Sequence, residues 1–219
     1  MDAIVYIDGF NLYNGAVKRT MLKWLDLSRL LFRLLPGRRI KRIRYFTARI
    51  QGFDHDPTAP ARQDLYLRAL KTLAPLLVIH EGWFASHPVL LPQFPLAYTD
   101  SRKPPQRPPQ AVQILKFEEK WTDVNIAAYM VLDCVDEIFD EVVLVSNDSD
   151  LVPPLEIAKN RFGKTITIIN PHRPANMSGH LFRLADNRLR TINKKALAAC
   201  QFPSTLSDAQ GTFTKPQSW

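Results

Sequence analysis

The chain has 219 residues, 46% of them hydrophobic and 23% charged, an ordinary globular composition that excludes collagen, coiled coil and wholesale disorder. Its formal net charge of +8 favours polyanionic partners such as nucleic acid or acidic membrane surfaces. Two widely spaced cysteines, Cys134 and Cys200, make neither a disulfide framework nor a zinc site and suit a reducing cytoplasm. No apolar run approaches the roughly 20 residues that span a bilayer, and the N-terminus has no basic n-region, so neither membrane association nor a signal peptide is expected.

Residues 3–7 (AIVYI) are apolar on both faces and predict a buried strand, ended by Asp8-Gly9. Helical spacing follows over 11–18 and again over 27–35, where Pro36-Gly37 stops it. A strand is expected at 40–48, a helix at 60–73 and a strand at 76–81. Between Pro88 and Pro109 prolines crowd and regular helix is excluded, so the stretch DSRKPPQRPPQ reads as an exposed loop or polyproline arm. A strand at 113–117 and an amphipathic helix at 123–134, with Thr122 as N-cap, come next. Then come a buried strand at 142–145, a helix at 155–161 closed at Gly163, a buried strand at 165–169 and a helix near 178–184. Residues 201–219 are polar and aperiodic, a tail expected to fold back or be held by its neighbours. Doubly apolar strands alternating with helices predict an α/β fold with a mainly parallel sheet and helices on both sides.

In such a sheet, sites form at the carboxyl ends of strands. Asp8 follows the first strand, with Asn11 one helical turn on; Ser146-Asn147-Asp148-Ser149-Asp150 follows the strand at 142–145; Asp123 opens a helix. Each has an ordinary explanation alone: Asp8 as a turn residue, Asp148 and Asp150 as helix caps, Asp123 as first-turn charge. Together they are four carboxylates able to converge on one rim, where their repulsion is poorly screened. A divalent cation with oxygen ligands removes that penalty, and Mg²⁺ or Mn²⁺ in such a site supports phosphodiester hydrolysis. Pro153-Pro154 fixes the helix start and so pins Asp148 and Asp150 at the sheet edge.

YIDGFNLYN, then KWTDVNIAAYMVLDC, then VVLVSNDSDLVPPLEIAKNRFGKTITIINP resembles the NYN domain family, LabA-like members of the PIN-like nucleases. The likeness runs over about residues 1–189. It implies a PIN-like three-layer α/β/α fold and a metal-dependent ribonuclease, endonucleolytic on single-stranded RNA. Asp8, Asp123, Asp148 and Asp150 would be catalytic and bind one or two Mg²⁺ or Mn²⁺ ions. Asn11, Ser146 and Asn147 would orient those ligands or their waters. Asn147 stands where the family's turn usually has Gly, and Leu151 where an aromatic is usual.

Other α/β phosphotransfer and cofactor folds fit less well. Phe10 occupies the second acid's place of a HAD phosphatase, Asp8 is the wrong acid for a Toprim site, and DGFNLYN lacks the dinucleotide-binding glycines. The rival is a non-catalytic RNA-binding or partner-binding module on the same scaffold. RNA contacts are expected from the stripe Arg38, Arg39 and Arg42 and from Arg102, Lys103 and Arg107 in the Pro-rich arm, with Trp83, Phe84 and Tyr98 nearby for base stacking. His80 and His172 read as ordinary histidines, although His172 follows a strand at the site's edge. The expected organisation is a nuclease domain over 1–195, with the Pro-rich insertion at about 85–110 and a tail over 196–219. Assembly as a homo-oligomer is compatible with the sequence.

Overall fold

Ala3, Ile4, Val5, Tyr6 and Ile7 are each at most 1% exposed, so β1 (Asp2–Asp8) is covered on both faces, as a central parallel strand requires. A computed structural model describes residues 1–52, 54, 56–92, 111–189 and 191–219. β1 lies between β2 (Arg39–Ala48) and β5 (Glu141–Val145), parallel to both. The sheet continues through β3 (Leu77–Pro92) and β4 (Ala111–Lys120) on one side, and through β6 (Thr165–Ile169) and β7 (Asn187–Leu189) on the other. The order is β4-β3-β2-β1-β5-β6-β7, with only the β3–β4 pair antiparallel.

Side chains alternate across the strands and build two cores. Ala3, Val5 and Ile7 join the core under α2 (Leu27–Leu34) and α3 (Ala59–Lys71). Ile4 and Tyr6 join the core under α4 (Thr122–Asp136), α5 (Val152–Asn160) and α6 (Gly179–Leu184). The molecule is thus the expected three-layer α/β/α arrangement with a mainly parallel sheet. Asp26 caps α2 by accepting the Arg29 N–H at 3.0 Å, and Pro60, Pro153 and Pro154 occupy first helical turns, where no N–H is missed. Ser178 caps α6, and Gly163 takes φ +64° just after α5.

Two expectations are revised. The strand from Leu77 does not stop near Glu81. Past Gly82 it leaves β2 and runs to Pro92 against β4, pairing Pro88 with Leu115 and Pro92 with Ala111. Proline is tolerated there because one flank of the strand has no ladder to break. Residues 93–110, including the DSRKPPQRPPQ stretch, Tyr98, Arg102, Lys103 and Arg107, lie outside the described residues. Thr122 is not the N-cap of α4 but its first residue. Trp121 precedes it with φ +81°, and the Thr122 hydroxyl is buried with no hydrogen-bond partner among the described residues.

The segment after α7 (Lys194–Ala199) folds back, as expected of it. It forms a hairpin, β8 (Thr205–Asp208) with β9 (Gly211–Thr214), and its Phe202 and Phe213 are buried in the α2/α3 core. Trp24 ties it down: its indole N–H donates to the Pro203 carbonyl at 2.8 Å. Asp208 pairs with Arg68 of α3. Among the described residues no helix is long and apolar enough to cross a membrane.

Candidate active site

The strand order reverses at β1, where the chain leaves toward β2 on one side and β5 lies on the other. That switch point is where an open parallel sheet forms a crevice. Asp8 ends β1 here and is 4% exposed. Its Oδ2 accepts the Ser146 hydroxyl at 3.0 Å, and its Oδ1 accepts the Asn11 N–H at 2.9 Å, capping α1 (Gly9–Leu12). Ser146 is fully buried just after β5 and accepts the Asp148 N–H at 3.1 Å. Asp148 in turn accepts the Asp150 N–H at 3.0 Å. One serine hydroxyl therefore couples the two acid-bearing loops. Burial raises the pKa of Asp8, and the bonds from Asn11 and Ser146 work against that rise.

Asn11 holds the rim together from the other side. Its side-chain oxygen accepts the Asn147 N–H at 3.1 Å and meets His172 Nε2 at 2.9 Å. The Asn147 side chain reaches on to the Asn176 carbonyl and the Ser178 N–H. His172, read from the sequence as ordinary, is thus part of the site. Gly15 makes room for it: a Cβ there would lie 2.9 Å from His172 Cδ2 and from the Pro171 carbonyl. The only signal in the sequence was its position after a buried strand at this edge.

Asp123 faces the group from the first turn of α4. Its carboxyl pKa is pushed up to about 6, by burial first and then by the charges of Asp148, Asp8, Glu119 and Asp150. Asp8, Asp123 and Asp148 therefore share one electrostatic environment; Asp150, exposed, lies at its outer margin. Glu119 is an acid the sequence reading missed. It lies one residue before the end of β4, accepts the Thr122 N–H at 3.1 Å and adds to the charge around Asp123. Just beyond, the half-exposed Trp83 and Trp121 rings meet edge to face at 6.0 Å, and Phe84 packs on Phe10 at 5.4 Å. His80 stacks on Phe46 and meets the Arg44 guanidinium; burial and that charge lower its pKa to about 4, a structural role.

The structure does not bring Arg38, Arg39 and Arg42 to this rim. Arg39 pairs in register with Asp2, six residues before Asp8, so the stripe lies at the amino edge, about 20 Å away at the rise of a strand. Each arginine there faces a carboxylate: Arg38 Glu141 at 3.2 Å, Arg39 Asp2, and Arg42 Glu137.

The donor set around the switch point is carboxylate oxygen, which suits a hard divalent cation. Among the described residues no three His, Cys, Asp or Glu side chains converge closely enough to hold one ion directly. An ion held there would keep several of its waters, as Mg²⁺ often does.

The chain matches the NYN domain family over residues 2–193 and belongs to it. The family is nuclease-related and built on a PIN-like fold. The chain is 30% identical over 240 aligned positions to 6-hydroxy-3-succinoylpyridine 3-monooxygenase HspA of Pseudomonas putida (strain DSM 28022 / S16), covering 98% of this chain and 74% of that protein. The fold is shared with a crystal structure of a protein of unknown function from Vibrio parahaemolyticus RIMD 2210633, with a TM-score of 0.51 at 16% identity, covering 88% of this chain and 93% of that one.

Proposed function

We propose that the protein is a metal-dependent ribonuclease acting on single-stranded RNA in the cytoplasm. The observation that carries this reading is the gathering of Asp8, Asp148 and Asp123 at the switch point, with Asp8 and Asp148 bonded to one serine and both charges bearing on Asp123. The charge of Asp148 raises the pKa of Asp8, and both charges raise that of Asp123, a penalty that a cationic occupant would remove. Asp8, Asp123, Asp148 and Asp150 would hold Mg²⁺ or Mn²⁺. A divalent ion bound there supplies Lewis acidity toward a phosphate oxygen.

The chain's own groups have separable tasks. Ser146 and the Asn11 N–H fix the Asp8 carboxylate, so it cannot swing away from the rim. Asn11, held by His172 and the Asn147 N–H, sets the distance between the loops after β1 and β5. Asp123, with a pKa near neutrality in the metal-free protein, can take or release a proton at its carboxyl oxygen. Trp83 and Trp121 offer exposed ring faces to bases of a strand crossing the rim. The test is cleavage of a fluorogenic single-stranded RNA: activity with Mn²⁺ or Mg²⁺ and none in EDTA supports the reading, and activity unaffected by EDTA contradicts it.

A second reading comes from the Pseudomonas relative, whose name is that of a monooxygenase acting on a substituted pyridine and which aligns over 98% of this chain. Under it, the chain would hydroxylate a small aromatic compound. Incubation with 6-hydroxy-3-succinoylpyridine, reductant and air, followed by mass spectrometry for the oxygenated product, separates the two.

A further inference from the structure

Beside the turn that follows Asp8 lies a cavity of about 390 Å³, within the range of small-molecule sites. None of Asp8, Asp123, Asp148 and Asp150 lines it. The Asp8 side chain turns toward Ser146, whereas the cavity is bounded by Gly9, Phe10 and Tyr13 of the same turn and by Tyr45 of β2.

The walls are rings, and several are fixed. Tyr66 donates to the Leu25 carbonyl at 2.9 Å and meets Tyr45 edge to face at 6.5 Å. Trp219 packs on Tyr66 at 5.9 Å and on Trp24 at 6.3 Å. Tyr45 is buried, and its hydroxyl lies where a Gly9 Cβ would be, 2.7 Å away. Rings held this way form a fixed wall on which a flat group can lie at little entropic cost.

The charged groups of the lining are mostly cationic. Lys18, Lys23 and Arg62 face one carboxylate, Asp56, for a formal lining charge of 3 − 1 = +2. Asp56 is bonded to Arg62. Gln63 spends its amide on the Ala48 carbonyl and the Ile50 N–H. Lys23 is half-buried and has no ion-pair or hydrogen-bond partner among the described residues. A partly desolvated ammonium is relieved by an anionic group.

We infer that this cavity is a binding site for a small planar aromatic anion, its ring against Tyr66 and Trp219 and its anionic group on Lys23 and Lys18. Aromatic carboxylates and mononucleotides share that chemistry, and the site stands whichever function the acidic rim performs.

The test is calorimetric titration of the full chain with 4-hydroxybenzoate, indole-3-carboxylate, uridine 5′-monophosphate and the neutral 4-hydroxybenzamide. At least one anion should bind, at least tenfold tighter than the amide, and high salt should weaken it. Binding by the carboxylates assigns an aromatic acid; binding by the nucleotide alone assigns a phosphate monoester. Lys23→Ala should remove the preference for the anion, and Asn14→Trp, which fills the cavity from an exposed position, should abolish binding with the circular dichroism spectrum unchanged. No binding of any probe at millimolar concentration, or binding unaltered in both variants, would overturn the assignment.

Discussion

His172 donates from Nε2 to the Asn11 side-chain oxygen. That same oxygen, 2.9 Å from the ring, accepts the backbone N–H of Asn147 at 3.1 Å. A backbone N–H can only donate, so the Asn11 atom is its oxygen and His172 must supply the proton. The loops after β1, β5 and β6 are thereby tied at one atom.

His172→Ala should free Asn11 and cost about 10–100-fold in cleavage, the usual effect of losing an orienting partner. The thermal midpoint should move little. His172→Gln, which keeps a donor, should recover part of the loss. Equal activity in His172→Ala and wild type would mean that the tie does not matter to the site.

Stability without metal should depend on pH through Asp123. Its carboxyl pKa is about 6 in the folded protein, against an ordinary value of 3.8. The folded state therefore binds the proton more readily, and that contribution is fully present below about pH 4 and lost as pH rises through 6. Thermal midpoints in EDTA should fall across this window. Millimolar Mn²⁺ at pH 7 should raise them by mass action, and Asp123→Asn should flatten the fall. A midpoint that rises across the window would contradict the shared-charge description.

Arg44 and Asp133 lie between the sheet and α4, with Arg44 Nε at 2.6 Å and the Tyr6 hydroxyl at 2.7 Å from the same Asp133 oxygen. Asp133→Ala strands a buried guanidinium and should cost about 3–5 kcal/mol in denaturant unfolding. Tyr6→Phe removes one donor from a carboxylate that keeps its ion pair, and should cost only about 1–2 kcal/mol.

Trp121 sits at φ +81° and is 60% exposed, a strained backbone holding a large ring in solvent. Such strain costs on the order of 1–3 kcal/mol. Trp121→Gly should thus be close to neutral or stabilising in unfolding, while weakening RNA binding in EDTA by about 1–3 kcal/mol for a lost stacking contact. Unchanged RNA affinity would assign the ring no part in binding.

Much of this was legible in the sequence for identifiable reasons. Residues 3–7 and 142–145 are apolar on both faces, as a central strand requires; Asp8 follows the first directly and Asp148 lies in the turn after the second. Partners distant in sequence were not legible. Glu141 and Glu137 lie 103 and 95 positions from the arginines they pair, so the basic stripe looked free. The strand expected at 76–81 runs on to Pro92, through prolines that a strand tolerates where one flank is unpaired. Trp121 broke the capping reading because nothing local marks a tryptophan for a left-handed conformation. His172 joins the site through a tertiary contact with Asn11 that no spacing announces, and Glu119 through a local bond from the Thr122 N–H three residues on.

The central claim is that Asp8, Asp123 and Asp148 form one metal-dependent catalytic rim, and cleavage of single-stranded RNA by wild type and Asp148→Asn in the same Mn²⁺ buffer tests it most directly. The account predicts metal-dependent cleavage that falls by at least about 100-fold in the variant, with the fold intact by circular dichroism. Full activity in Asp148→Asn, or wild-type cleavage that persists in EDTA, would contradict it.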